Sequence, residues 1–482
     1  MWNCPPQMRE LIERDPMGIL QDMDLTTASG ISRRDALARL GGGLGSLGLA
    51  SALQSAGGHS LPAGGLHFPA RVKRVIHLFM NGGPFGPDFF DPKPALTKFD
   101  GQRPEGADLR TERPTGGLMA VPYQFSNHGQ SGLPISELLP MTARHADELC
   151  LLPACYTDNP NHGPALLLMN NGTMTPKVPS MGAWMSYGLG TENRDLPAYV
   201  VLCPGRPVRF SILWNSAFLP AKHQGVYINH SKIEPKAMIP WLTNADIAAS
   251  EQRRQLDLLT ELNRDHLAAR GGADSALQGR IEAMETAYRM QFEATDAFDL
   301  NHEPPHVREA YGKGHFANGC LLARRLSERG VRFVQVYYGN GQPWDTHSKH
   351  DERTRNLAAD IDRPIWALIE DLKQRGLLED TLLVWGGEFG RTPVSENGNG
   401  RDHNPHGFLM WMAGGGVKGG HVHGASDEFG FKAVDKSMHV HDIHATLLHL
   451  LGIDHERLTY RYAGRDFRLT DVYGKVAKGI LA

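Results

Sequence analysis

The sequence predicts an α/β protein: a large, mostly parallel sheet with helices on both faces. Three observations predict it. Short β-branched apolar runs recur along the chain, helical periodicities lie between several of them, and glycine-rich polar loops follow the runs. At 482 residues the chain has room for one large α/β core with an insertion, or for several domains at roughly 100–200 residues each.

The first run, residues 72–80 (VKRVIHLFM), ends at Asn81-Gly-Gly-Pro, a strand passing into a loop. Similar runs occupy 149–155, 198–203, 331–338, 381–385 and 408–413. Leu357, Ile361, Ile365, Leu368 and Leu372 recur at helical spacing, with Pro364 implying a kink. Residues 205–314 break the alternation. They open on a Pro/Trp/His loop and turn helical at Leu256, Leu259 and Leu262, then at Ile281, Met284 and Tyr288. This is read as an insertion, either walling a substrate cleft beyond the strand ends or packing as a plain helical hairpin.

Composition narrows the function. Net charge is −3 with pI near 6.8, so no whole-molecule positive field exists to hold nucleic acid. Residues 31–56 (ISRRDALARLGGGLGSLGLASALQSA) set Arg33 and Arg34 before a weakly apolar run, the pattern of a twin-arginine export signal. Residues 1–56 are therefore read as a signal region and 57–71 as a linker, ahead of one domain over 72–482 in the periplasm or outside the cell. No later stretch is long and apolar enough for a stable membrane span. The G-x-G-x-x-G match at 43–48 lacks a preceding strand and is discarded. Cys4, Cys150, Cys155, Cys203 and Cys320 form no C-x-x-C pair, and the later ones read as small core residues.

Histidine is the outlier: 11 of 23 fall within residues 347–455. Three loops after or before predicted strands carry the chemistry. GNGQPWDTHSKHDE brings Asp345, His347 and His350; GGEFGRTP brings Glu388 and Arg391; GRDHNPHG brings Asp402, His403 and His406. In a parallel sheet such loops converge on one edge, where hard carboxylate oxygens and imidazole nitrogens suit a divalent cation. Of the later histidines, His421-Val-His423 and His439-Val-His441 would each set both rings on one face if extended, as a zinc pair does, but such pairs are more often exposed or core-edge residues. His441, beside Asp442, is the one site candidate among them.

The stretches NGGPFGPDFFDPKPAL, NHGPALLLMNNG, PWDTHSKHDE, DTLLVWGGEFGRTP, GRDHNPHGFLMWMAGGGVKGG and DIHATLLHLLGID together resemble a family of exported sulfatase-like bacterial proteins, domain of unknown function 1501. More distantly the chain resembles the alkaline phosphatase superfamily. That resemblance implies an alkaline phosphatase-like fold with one or two metals and a nucleophile at a helix N-terminus. Asp345 with His347 or His350 is similar to an Asp-x-x-x-His ligand pair, and His403 to the histidine completing that site. Glu388 stands where relatives carry Asp-His or Asp-Asn. Asn81 replaces a ligand Asp, leaving Asp88 or Asp91 as the nearest carboxylate, and Phe389 replaces a ligand His or Asn. No Cys-x-Pro-x-Arg occurs, since Cys203-Pro-Gly-Arg206 is out of phase; His162-Gly-Pro stands there instead, which excludes a formylglycine mechanism.

The implied function is a metal-dependent hydrolase of a small-molecule or polysaccharide sulfate or phosphate ester. Asp345, His347, Glu388, His403 and Asp88 would hold zinc or manganese in preference to calcium. Arg391 would clamp the oxyanion, and His162 would act as base, ligand or nucleophile. The alternatives are a non-catalytic protein of the same fold that binds an acidic or sulfated polysaccharide or an envelope partner, and a purely structural metal-stabilised protein. The resemblance also implies a co-exported cytochrome-like partner.

Overall fold

The computed structural model describes residues 66–239, 247–269 and 275–482. The twin-arginine signal and most of the linker lie outside these residues. Six strands follow the apolar runs or their neighbours: β1 (Arg74–Phe79), β2 (Leu149–Tyr156), β3 (Tyr199–Leu202), β4 (Val226–Ile228), β5 (Phe333–Tyr337) and β6 (Thr381–Gly386). A hairpin, β7 (Gly390–Glu396) and β8 (Gly400–Asn404), precedes β9 (Phe408–Gly414), and the short strands β10 (His421–Val422) and β11 (Met438–His439) complete the set used here.

Among the described residues the main sheet has nine strands, in the order β10-β2-β9-β6-β1-β5-β3-β4, with β11 also paired to β2. Every pairing in it is parallel except those of β9, which runs against both β2 and β6. The expected α/β class with a mostly parallel sheet is thus observed. The reversal of β9 has a consequence for the site: its start, not its end, lies at the edge where the parallel strands finish.

β1 is central and buried on both faces, which is why it reads as a continuous apolar run. Strand alternation sends Ile76 and Leu78 into one core and Val75 and Phe79 into the other. The first core is covered by the helices His315–Glu328 and His350–Gln374, the latter running through Pro364. The second is covered by α1 (His162–Asn171), α2 (Met181–Leu189) and a C-terminal helix, Val440–Leu450. Asn161 caps α1 by accepting from the Gly163 N–H, and Gly172, at φ 70°, ends it.

Residues 205–314 supply the edge strand β4, which sequence periodicity did not mark, and two long helices, Ala249–Ala269 and Ser275–Phe298. Leu256 and Leu259 are buried in the first of these, whereas Leu258 and Leu262 are exposed. No helix among the described residues is long and apolar enough to cross a membrane. Cys150, Cys155, Cys203 and Cys320 are all buried and unbridged, and burial pushes the Cys150 and Cys203 thiols up to about 12.

Candidate metal centre

Four segments meet at the carboxyl edge of the parallel strands. After β1 the chain turns at Gly82, whose φ is +116° and where an added Cβ would lie 2.5 Å from the Asp345 amide nitrogen. Only glycine fits there. Asn81, fully buried, pins the loop that follows β5: its amide donates to the Gly339 carbonyl at 3.0 Å and the Gly341 carbonyl at 2.5 Å. That loop delivers Asp345 and His347. Glu388 follows β6, and the β7–β8 hairpin sets His403 directly across from Arg391.

The nitrogens His162 Nε2, His347 Nε2 and His403 Nε2 lie 3.2, 2.9 and 3.2 Å from a single atom, Asp345 Oδ1. His347 Nε2 and His403 Nε2 are 3.0 Å apart. Each ring turns its other nitrogen to a carboxylate: His162 Nδ1 to Glu388 Oε1 at 2.7 Å, His347 Nδ1 to Glu396, and His403 Nδ1 to Glu112. An ionised carboxylate only accepts, so in these contacts Nδ1–H donates, and each Nε2 carries a lone pair whenever its ring is neutral. Three such nitrogens and one anionic oxygen, all within 4.8 Å of one another, repel unless a proton or a cation lies among them. The donor set of three imidazoles and one carboxylate fits zinc or manganese.

Arg391 is buried and supplies a positive charge from the protein side. Its Nη2 lies 2.6 Å from Asp345 Oδ1 and also donates to the Gly82 carbonyl, while Nε and Nη1 donate to the Gly83 and Arg401 carbonyls at 3.1 and 3.3 Å. Burial alone would raise the Asp345 carboxyl, but hydrogen bonds from His162, His347 and His403 and the Arg391 charge hold it far below the usual carboxylate range. Burial also opposes protonation of His162 and His347, yet their carboxylate partners leave both above the ordinary histidine value. For His403 burial prevails and the value is lowered. Phe389 lies against two of the rings, with centroids 4.7 Å from His162 and 4.8 Å from His403.

The structure sorts the residues named from sequence. Asp345, His347 and His403 come together as expected. His162 joins them through Nε2, with Nδ1 on Glu388. Glu388 is in no metal-capable group among the described residues and lies behind His162: both of its oxygens accept from the Gly82 N–H, at 3.1 and 3.2 Å, and one also receives His162. Arg391 straps the site from within: four of its five N–H donors go to three carbonyls and Asp345. Asp88 pairs with His350 Nε2 at 2.8 Å, both buried, and is in no metal-capable group among the described residues. His441 donates to the Gly172 carbonyl at 2.8 Å under α1, also outside the group. Asp91 accepts from Ser426 at 2.5 Å. Sequence reasoning missed Glu396 and Glu112. Glu396 ends β7, five residues beyond Arg391, an odd spacing that strand alternation assigns to the other face, so neither it nor Glu112 carries a local signal.

Residues 72–481 match a family model described as protein of unknown function (DUF1501). No curated protein matches the chain. Among solved structures, the chain is similar to a lipoteichoic acid synthase, LtaP, from Listeria monocytogenes at 9% identity, covering 84% of this chain and 76% of that one with TM-score 0.35. A protein in the alkaline phosphatase superfamily from Vibrio parahaemolyticus is 11% identical, covering 89% and 78%, with TM-score 0.35. The PsFucS1 sulfatase from Pseudoalteromonas sp. is 12% identical, covering 88% and 73%, with TM-score 0.32.

Proposed function

The chain belongs to the family described as protein of unknown function, DUF1501, and from that premise we propose that it is an exported, metal-dependent hydrolase of sulfate or phosphate esters. One observation carries the reading: three imidazole Nε2 atoms converge on Asp345 Oδ1 while each Nδ1 is backed by its own carboxylate. Such carboxylate–imidazole pairs fix ring orientation and raise ligand basicity.

His162, Asp345, His347 and His403 would hold zinc or manganese. A cation there supplies Lewis acidity toward an ester oxygen and lowers the pKa of water. The chain's own residues do the rest. Glu388, Glu396 and Glu112 keep the proton on each Nδ1, so that every Nε2 faces the centre. Arg391 orients Asp345 while strapping the Gly82-Gly83 turn. Phe389 covers one face of two rings and excludes water from that side. Asp345 is the most open member, its side chain 24% exposed against 4% for His403, so the site opens to solvent at the carboxylate.

A second reading is a non-catalytic protein of the same fold that binds an acidic or sulfated polysaccharide. The donor count favours it, since four protein donors complete a tetrahedral shell as in structural zinc sites. Elemental analysis and turnover of nitrophenyl sulfate and nitrophenyl phosphate separate the readings. The hydrolase predicts about one metal per chain and chelator-sensitive turnover. Metal-loaded protein inert across an ester panel would sink it and leave the binding protein.

A further inference from the structure

Next to the candidate metal centre, and not among its four donors, lies a buried carboxylate without a charge partner. Asp402 stands in β8 and is fully buried. Strand alternation would turn it away from His403, but the hairpin register slips between Arg401 and His403, where residues 392–394 of β7 oppose Asp402 alone. The Asp402 N–H donates to Thr392 Oγ1 at 3.0 Å, and Oδ2 accepts from the Arg113 N–H at 2.6 Å. Oδ1 is buried as well and meets no donor among the described residues. Arg113 gives its guanidinium to Glu396 at 3.1 Å and Arg391 gives its own to Asp345, so neither salt-bridges Asp402. A buried ionised carboxylate is stable where it is paired, hydrogen-bonded or bound to a metal.

A second carboxylate comes from outside the sheet. The long loop after β1 runs along the edge of β7: the Gly116 N–H donates to the Ser395 carbonyl at 2.7 Å, the Ser395 N–H to the Gly117 carbonyl at 2.8 Å, and the Met119 N–H to the Pro393 carbonyl at 2.9 Å. His406 Nε2 donates to the Arg110 carbonyl at 3.2 Å. Between these anchors the loop presents Glu112. Its Oε2 receives His403 Nδ1, and no group among the described residues takes its Oε1. An oxygen of Asp402, an oxygen of Glu112 and a nitrogen of His403 lie within 4.8 Å of one another. Asp402 closes this group from the inside, while the Glu112 side chain, 29% exposed, opens it to water.

We propose that Asp402 and Glu112 hold a hard divalent cation, separate from the metal of the imidazole centre. His403 has no nitrogen to spare for it, since Nδ1 is turned to Glu112 and Nε2 to Asp345. The donors are then all oxygen, which selects magnesium or calcium over zinc. Magnesium is favoured, because it binds through one or two carboxylates and keeps several waters, for which the exposed side of Glu112 leaves room. The place is not that of the second ion implied by the resemblance, which would need ligands at Asn81 and Phe389. An ion here ties the Glu112 loop to β8 and so fixes the carboxylate behind His403. The inference depends on neither the activity nor the substrate of the proposed function.

The test is calorimetric titration of magnesium chloride, and separately of calcium chloride, into the zinc-loaded full chain, with zinc per chain measured on the same samples. The wild type should take up one magnesium per chain and keep its zinc. Asp402→Asn retains an acceptor for the Arg113 N–H; it should keep its zinc and lose at least about 10-fold in magnesium affinity, no less than the loss of an outer carboxylate costs a metal site. Glu112→Gln, on the exposed loop, should weaken magnesium in the same direction, and it keeps the proposal testable if Asp402→Asn misfolds. The tighter of the two cations identifies the ion. No uptake of either cation by the wild type overturns the proposal, as does undiminished uptake by folded Asp402→Asn. Should the wild type hold no zinc, the imidazole-centre reading fails by itself. Asp402-dependent magnesium uptake would then still uphold this site, and Asp402-independent uptake would overturn it.

Discussion

Acid should unfold this protein through four histidines outside the metal centre. Burial pulls His77, His223 and His444 down to about 3 and His230 to about 4. Each is held neutral in a fixed tautomer or contact: His444 Nε2 donates to the Met169 carbonyl at 2.8 Å, His230 Nε2 to the His315 carbonyl at 3.1 Å, His223 Nδ1 meets Ser186 Oγ at 2.9 Å, and His77 Nδ1 lies 3.4 Å from Gln335 Nε2. Unfolded, all four titrate near about 6.5. Between those values the unfolded chain binds more protons than the native one, so stability is full above about 6.5 and is lost as pH falls toward 3. From pH 7 to pH 5 each group contributes a loss of about 2 kcal/mol, and the four together about 8 kcal/mol. That is comparable with the whole stability of a typical domain, about 5–15 kcal/mol. His162 and His347, whose values are raised, act in the opposite sense and offset part of it. Urea unfolding of the chelator-treated protein at pH 7, 6 and 5 measures the slope. His444→Leu should reduce proton uptake on unfolding at pH 5 by about one. A stability flat across this range, or equal uptake by the wild type and His444→Leu, would refute the argument.

Glu388→Gln removes the charge behind His162 while keeping an acceptor for the Gly82 N–H; metal affinity, read by chelator competition, should fall about 10–100-fold with the fold intact. Gly82→Ala forces a Cβ against the backbone at Asp345, 2.5 Å from its nitrogen, at a positive φ. It should cost about 2–4 kcal/mol in urea unfolding and also lower metal content. Phe389→Ala should cost about 3–5 kcal/mol as a large buried truncation, while the four donors still take up metal. Chelation should lower the Tm of the metal-loaded wild type, and the shift should vanish in Asp345→Ala.

What the sequence made legible was local. β1, β5 and β6 are short β-branched runs buried on both faces, and a loop directly after each carries a polar residue, so Asp345, His347 and Glu388 announce themselves. His403 was legible because it too stands beside a strand, although β9 enters the site from the opposite direction. The roles were harder to read, since they depend on where side chains point. Glu388 and Asp345 look alike as carboxylates after strands, but the Gly82 amide claims Glu388. His347 and His350 lie three residues apart, and only His350 sits on the helix, where Asp88 meets it inside the protein. Arg391 looked like a free clamp because its partners are main-chain carbonyls, which no residue type encodes. Glu112 is carried from a long loop after β1 to His403, a contact spanning 291 residues.

The four buried thiols make this chain its own conformational reporter. Cys150 and Cys155 lie within β2, Cys203 follows β3 and Cys320 lies in the helix His315–Glu328, and burial keeps each protonated in the native state. Among these four described thiols a thiol-specific label therefore finds nothing to modify until a strand or that helix opens, and the one of them it modifies first identifies which part of the sheet gave way.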